Sequence, residues 1–128
     1  MLENLPDNYT AAVFGASGGI GRAITKALSE DPRCAKVFAG SRSVIPAAEK
    51  VTGFAFDLTD EDSIAKAARS IGSGGPVHLV LVTTGILHSD DFGPERSWRE
   101  LDPGNMQTVF ALNTIGPAII ARHMLEHL

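Results

Sequence analysis

Apolar positions along this chain fall in short runs whose period alternates between strand and helix. Ala11, Ala12, Val13 and Phe14 form an unbroken apolar run closed by Gly15, the pattern of a buried strand. Ile20, Ala23, Ile24, Ala27 and Leu28 then recur at helical spacing, which predicts a helix burying those five residues and fading at Glu30, Asp31 and Pro32. Lys36 to Gly40 reads as a second strand and Gly53 to Phe56 as a third, closed by Asp57. The acidic run TDEDS opens a second helix. Thr59 or Asp60 is its cap, Glu61 and Asp62 suit its positive end, and Ile64, Ala65, Ala68 and Ile71 form its apolar side. Gly72 to Pro76 stops that helix, and Val77 to Val82 follows as the most apolar strand. A polar loop leads through Pro103 to a last helix, from about Asn105 to the C-terminus.

Strands alternating with helices imply right-handed crossovers and an α/β fold, a doubly wound parallel sheet with strand order 3-2-1-4. In that order the fourth strand lies on an edge. A strand so apolar should be paired, so we expect either a continuation of the chain or another subunit there, and a homo-oligomer follows from the second case.

At 128 residues the chain suits a single domain, 1–128, large enough for a core without disulfides. Its net charge of −4 and its lack of a Lys/Arg stripe give no source of affinity for a phosphate backbone or an anionic lipid surface. Neither nucleic acid nor membrane is an expected partner. Cys34 is the single cysteine, so no internal disulfide forms, and a cytoplasmic location is expected. The N-terminal MLENLPDNY is polar and holds Pro6, unlike a signal peptide.

The chemistry concentrates in AVFGASGGIG. Gly15, Ser17, Gly18, Gly19, Ile20 and Gly21 form a turn between strand and helix in which bare backbone can approach a pyrophosphate. The helix start adds free N–H groups and the positive end of its dipole. A tight structural connection is the alternative reading. About twenty residues further on, where an acidic residue would meet a ribose 2′-hydroxyl, stand Ser41, Arg42 and Ser43. A guanidinium and two hydroxyls suit a 2′-phosphate, which favours NADP, with NAD as the alternative; Arg42 as a solvated loop residue is the bland reading.

The spacing G-x-x-x-G-x-G in FGASGGIG is similar to the TGxxxGIG of the short-chain dehydrogenase/reductase family, with Phe14 in place of threonine. The resemblance covers nearly the whole chain and implies a Rossmann-type fold, here partial and lacking the C-terminal part of the family fold. It implies that Asp57 and Leu58 contact adenine, although Asp57 also suits a capping role. Val82-Thr83-Thr84-Gly85 falls where the family has Asn-Asn-Ala-Gly, which assigns Thr84 and Gly85 to the nicotinamide ribose and removes the asparagines that brace the sheet. Asn113 resembles the asparagine of the family's Asn-Ser-Tyr-Lys set. Pro117 has no N–H for the Asn113 carbonyl, so a kink should free that oxygen, which the resemblance implies holds a water; a merely kinked packing helix is the other reading.

The family's Tyr-x-x-x-Lys pair has no counterpart. Tyr9 is the one tyrosine, placed before the first strand, and no lysine follows Lys66. The expected activity is hydride transfer between a nicotinamide coenzyme and a small carbonyl or alcohol. This chain supplies coenzyme binding without the proton-transfer pair, as a truncated product would; the alternative is a non-catalytic nucleotide-binding or oligomeric interaction module. His123 and His127 lie one helical turn apart without a third ligand, so no metal is expected. Trp98 either lines a substrate cleft or packs against its loop. The VTTGILH and SWREL segments are similar to a subgroup related to bacterial cell-contact signalling factors.

Overall fold

In the computed structural model, which describes residues 2–128, four parallel strands form one sheet in the order β3-β2-β1-β4. The strands are β1 (Tyr9–Phe14), β2 (Cys34–Ser41), β3 (Val51–Ala55) and β4 (Leu79–Val82). Helices α1 (Gly19–Glu30) and α2 (Glu61–Gly72) are the crossovers, and α3 (Pro103–Phe110) and α4 (Gly116–Met124) follow β4. The expected order holds, with β4 on an edge and half-buried along its length.

Alternation along β1 feeds two cores. Ala12 and Phe14 point to one face, where they meet Phe38, Ile64, Ile71, Ile120 and Met124 from β2, α2 and α4. Tyr9, Ala11 and Val13 point to the other, joining Leu28, Val37 and Ala39. Each fully buried Ile or Phe contributes about 1.5–3 kcal/mol of transfer free energy. Phe14 packs edge-to-face on Phe54 and Phe56, with ring centroids 5.1 and 5.0 Å away.

Helix α1 buries a different stripe from the expected one. Gly21, Thr25 and Leu28 are buried and Ile24 is half-buried, while Ala23 and Ala27 are exposed and Ile20 is 72% exposed. The hydroxyl of Thr25 donates to the Gly21 carbonyl at 2.8 Å, which lets a polar residue face the sheet without loss. In α2, Ala67 replaces Ala65 on the buried face. Asp60 is its cap, accepting from the N–H groups of Asp62 at 3.1 Å and Ser63 at 3.3 Å, an arrangement that contributes about 1 kcal/mol.

Several boundaries move. Tyr9 begins β1 rather than preceding it, because the His78 imidazole accepts from the Thr10 N–H at 3.1 Å and ties down the strand start. Val77 leaves β4 to donate to the His127 carbonyl at 2.8 Å. Helix α3 starts at Pro103, two residues before Asn105, because the Asp102 carboxylate caps it through the Asn105 N–H at 2.9 Å. The helical path to the C-terminus is not uniform: Ala111–Ile115 widens into a π turn just before Pro117.

Candidate functional site

A cleft of about 440 Å³ opens where the strands end. Phe14 pairs with both Gly40 and Val82, so β1, β2 and β4 finish at one level, and the loops leaving them form the walls. Gly15, Ser17, Gly18, Ser41, Arg42, Asp57, Leu58, Thr84 and Gly85 border this cleft, together with Phe56, Ile86 and Leu112, which the sequence pattern did not single out. Gly19, Ile20, Gly21, Ser43 and Asn113 do not border it.

Two glycines shape the turn. Gly15 has φ +99°, where an L side chain is strained, and its Cα faces Thr83. A β-carbon on Gly21 would overlap the Gly15 carbonyl, so glycine there lets α1 start flush against the turn. Gly18 caps α1 without a side chain. Arg22 takes the Gly18 carbonyl at 2.8 Å, which leaves the N–H groups of Gly19, Ile20 and Gly21 without an acceptor among the described residues. Three bare donors at the positive end of a helix are chemically suited to an anion.

At the end of β2 the buried Ser41 hydroxyl donates to the Ser43 carbonyl, closing a tight turn. The hydroxyl expected to reach a ligand is therefore engaged as a donor by its own loop. The Arg42 side chain is exposed and makes no hydrogen bond or ion pair among the described residues. At the end of β3, one Asp57 oxygen accepts from the Thr59 N–H at 2.8 Å and its hydroxyl at 2.7 Å. Those bonds, reinforced by the Arg42 charge, hold the Asp57 carboxyl below the usual carboxylate range. Asp57 closes an Asx turn rather than capping α2.

Thr83 occupies a position where the family's bracing asparagines are absent, yet it braces the sheet. Its hydroxyl lies 3.1 Å from the Phe14 carbonyl and 3.2 Å from that of Gly15, linking β4 to the glycine turn. Next to it, the Thr84 hydroxyl is buried on the cleft wall with no protein partner. This hydroxyl is a buried polar group whose hydrogen bond is unmade among the described residues. The bare helix N–H groups and this hydroxyl fit a phosphorylated, hydroxyl-rich coenzyme.

The Asn113 amide is committed elsewhere, to the backbone of Ile86. Gly116 donates to the Ala111 carbonyl five residues back, the π-turn bond, and Pro117 offers no N–H to the Asn113 oxygen. Tyr9 lies at the opposite end of β1, fully buried, its hydroxyl donating to Asp31 at 2.9 Å. Burial first, then that bond, pushes its ionisation well above the ordinary tyrosine range. His123 meets Glu61 at 3.0 Å, while the His127 ring packs on Gly72, so the two imidazoles serve different contacts. Trp98 neither borders the cleft nor packs into its loop: it is 71% exposed, with the Arg99 guanidinium 4.3 Å from its ring centroid. No helix among the described residues is long and apolar enough to cross a membrane.

The model of the short chain dehydrogenase family matches residues 9–128. This chain belongs to that family. A cis-4-hydroxycyclohexanecarboxylate dehydrogenase of Sinomonas cyclohexanicum is 29% identical over 92% of the chain and 49% of its own length. An NADPH-bound carbonyl reductase from chicken fatty liver superposes with a TM-score of 0.78 at 22% identity, over 96% of this chain and 49% of that one. A short-chain dehydrogenase/reductase of Serratia marcescens gives 0.78 at 23% identity, over 95% and 53%. The chain thus spans about half the length of the relatives it matches.

Proposed function

We propose that residues 1–128 form the nicotinamide-coenzyme-binding unit of an oxidoreductase, with NADP preferred to NAD. The observation that carries this reading is the row of unsatisfied N–H groups at Gly19, Ile20 and Gly21 beside the side-chain-free Gly15 and Gly18. In this assignment the diphosphate lies on that row, with Ser17 beside it. Arg42 takes the phosphate of the adenosine ribose, with the Ser41–Ser43 turn presenting it. Asp57 keeps one oxygen free of Thr59 to accept from the adenine amine, and Leu58 provides an apolar contact. Thr84 and Gly85 receive the nicotinamide ribose. The Asn113 carbonyl, deprived of its helical donor by Pro117, holds a water.

When bound, the coenzyme supplies or accepts the hydride exchanged with a small carbonyl or alcohol substrate. This chain's residues bind and orient it. Tyr9 has no part in proton transfer, being buried at the far end of the sheet and held protonated. Titration of the chain with NADPH and NADH, followed by calorimetry, tests the reading. Saturable binding with NADPH the tighter is expected; no binding of either overturns it.

A second reading, an interaction module that assembles as a homo-oligomer, draws on the unpaired outer edge of β4. Sedimentation of the chain decides it. A monomer at every concentration sinks this alternative.

A further inference from the structure

A second cleft, of about 500 Å³, adjoins the first and shares Arg42, Phe56 and Asp57 with it. Its floor is Phe54, Ala55 and Phe56, and its far wall is the stripe of α2 that carries Ser63, Lys66 and Ser70. The composition of this wall is uneven in charge. Two cations border the cleft against one carboxylate, and that carboxylate is already engaged by Thr59.

Most other cations of the chain have occupations. Lys26 meets Glu30, Lys50 and Arg33 bond backbone carbonyls, Arg122 meets Glu61, and Lys36 lies over the Phe38 ring. Neither Arg42 nor Lys66 makes a hydrogen bond or ion pair among the described residues. Side chains on a helix lean toward its N-terminus, and the N-terminus of α2 is the end nearest Asp57 and the first cleft. Lys66 and Arg42 both border this one cleft.

We infer that Lys66 is a specificity-determining residue, the second cation, opposite Arg42, for a phosphate monoester on the adenosine end of the coenzyme. This rests on the coenzyme reading above and deepens it. A dianionic phosphate between two otherwise unpaired cations gains from both, whereas a ribose hydroxyl at the same place gains from neither. Lys66 thus separates the phosphorylated coenzyme from the unphosphorylated one without touching the shared diphosphate site.

The experiment measures dissociation constants of NADPH and NADH for the wild-type chain, Lys66→Gln, Arg42→Gln and the double variant, at low and at raised salt. Circular dichroism melting accompanies each, and Lys66 is exposed enough for the substitution to leave folding intact. Lys66→Gln is expected to weaken NADPH about two- to fivefold, the range of a solvated charge contact, to leave NADH unchanged, and to flatten the salt dependence of NADPH binding. Competition by inorganic phosphate separates a coenzyme contact from a general anion site: it should raise the NADPH dissociation constant in the wild type more than in Lys66→Gln, whereas its effect on NADH, which reports only the shared diphosphate row, should be the same in both proteins. An unchanged NADPH-to-NADH ratio in Lys66→Gln, with the ratio altered in Arg42→Gln, overturns the role of Lys66 and leaves the coenzyme reading standing. Failure of the wild type to bind either coenzyme removes both.

Discussion

The side-chain amide of Asn113 grips the backbone of Ile86 from both sides, donating to its carbonyl at 2.7 Å and accepting from its N–H at 2.8 Å. This two-point contact fastens the π turn to the loop leaving β4, and it fits only a side chain with a donor and an acceptor side by side. Asn113→Ala should cost about 1–2 kcal/mol in urea unfolding, because both Ile86 groups then depend on water. Asn113→Asp, which retains only the acceptor, should fall between the two. Equal stability of all three proteins would show the clasp to be idle.

The two kinds of glycine in the turn can be separated. Gly21→Ala sets a β-carbon against the Gly15 carbonyl and should lower the melting temperature as well as abolish binding of both coenzymes. A β-carbon on Gly19 meets nothing within 4 Å, so Gly19→Ala should keep or raise stability, by up to about 1 kcal/mol from helix propensity. Coenzyme affinity of Gly19→Ala should still fall, since the added methyl crowds the anion. A stable Gly21→Ala that binds normally would refute the packing argument.

Arg42→Ala removes a charged fork from the cleft wall. NADPH affinity should drop by about 1–3 kcal/mol and NADH affinity should stay constant, as for other charge-assisted bonds. Calorimetric titration of both coenzymes reads the difference. Parallel losses for the two would place Arg42 outside the phosphate contact.

The Asp57 carboxyl supplies a pH dependence with a definite sign. The two Thr59 bonds lower its folded value beneath the ordinary 3.8, so its contribution is complete above that pH and disappears as pH falls through the folded value. Thr59→Val should raise the Asp57 carboxyl back toward the ordinary range, followed by its NMR chemical shift, and should weaken the acid dependence of unfolding. An unmoved titration in Thr59→Val would assign the shift to the backbone N–H of residue 59 and the Arg42 charge instead.

Local signals were legible in the chain. The apolar run ending at Gly15, the acidic cap before Ile64 and the alternation of strand with helix each depend on neighbours within a few residues, and the parallel order β3-β2-β1-β4 follows from their succession. The stripe that α1 buries was not legible in the same way. Ile20, Ala23 and Ala27 have the right period, but the demand that Gly21 abut Gly15 rotates the helix and turns Gly21, Thr25 and Leu28 inward.

Chemistry and order of elements were thus written in the sequence: a glycine turn after a strand, an unaccompanied arginine after the next, and a proline that deprives Asn113 of its helical partner. Tertiary structure alone decided who holds whom. Thr83 joins Phe14 across 69 positions, and Asn113 joins Ile86 across 27. Such bonds depend on where strand ends and turns arrive in space, and one-dimensional periodicity carries no record of that arrival.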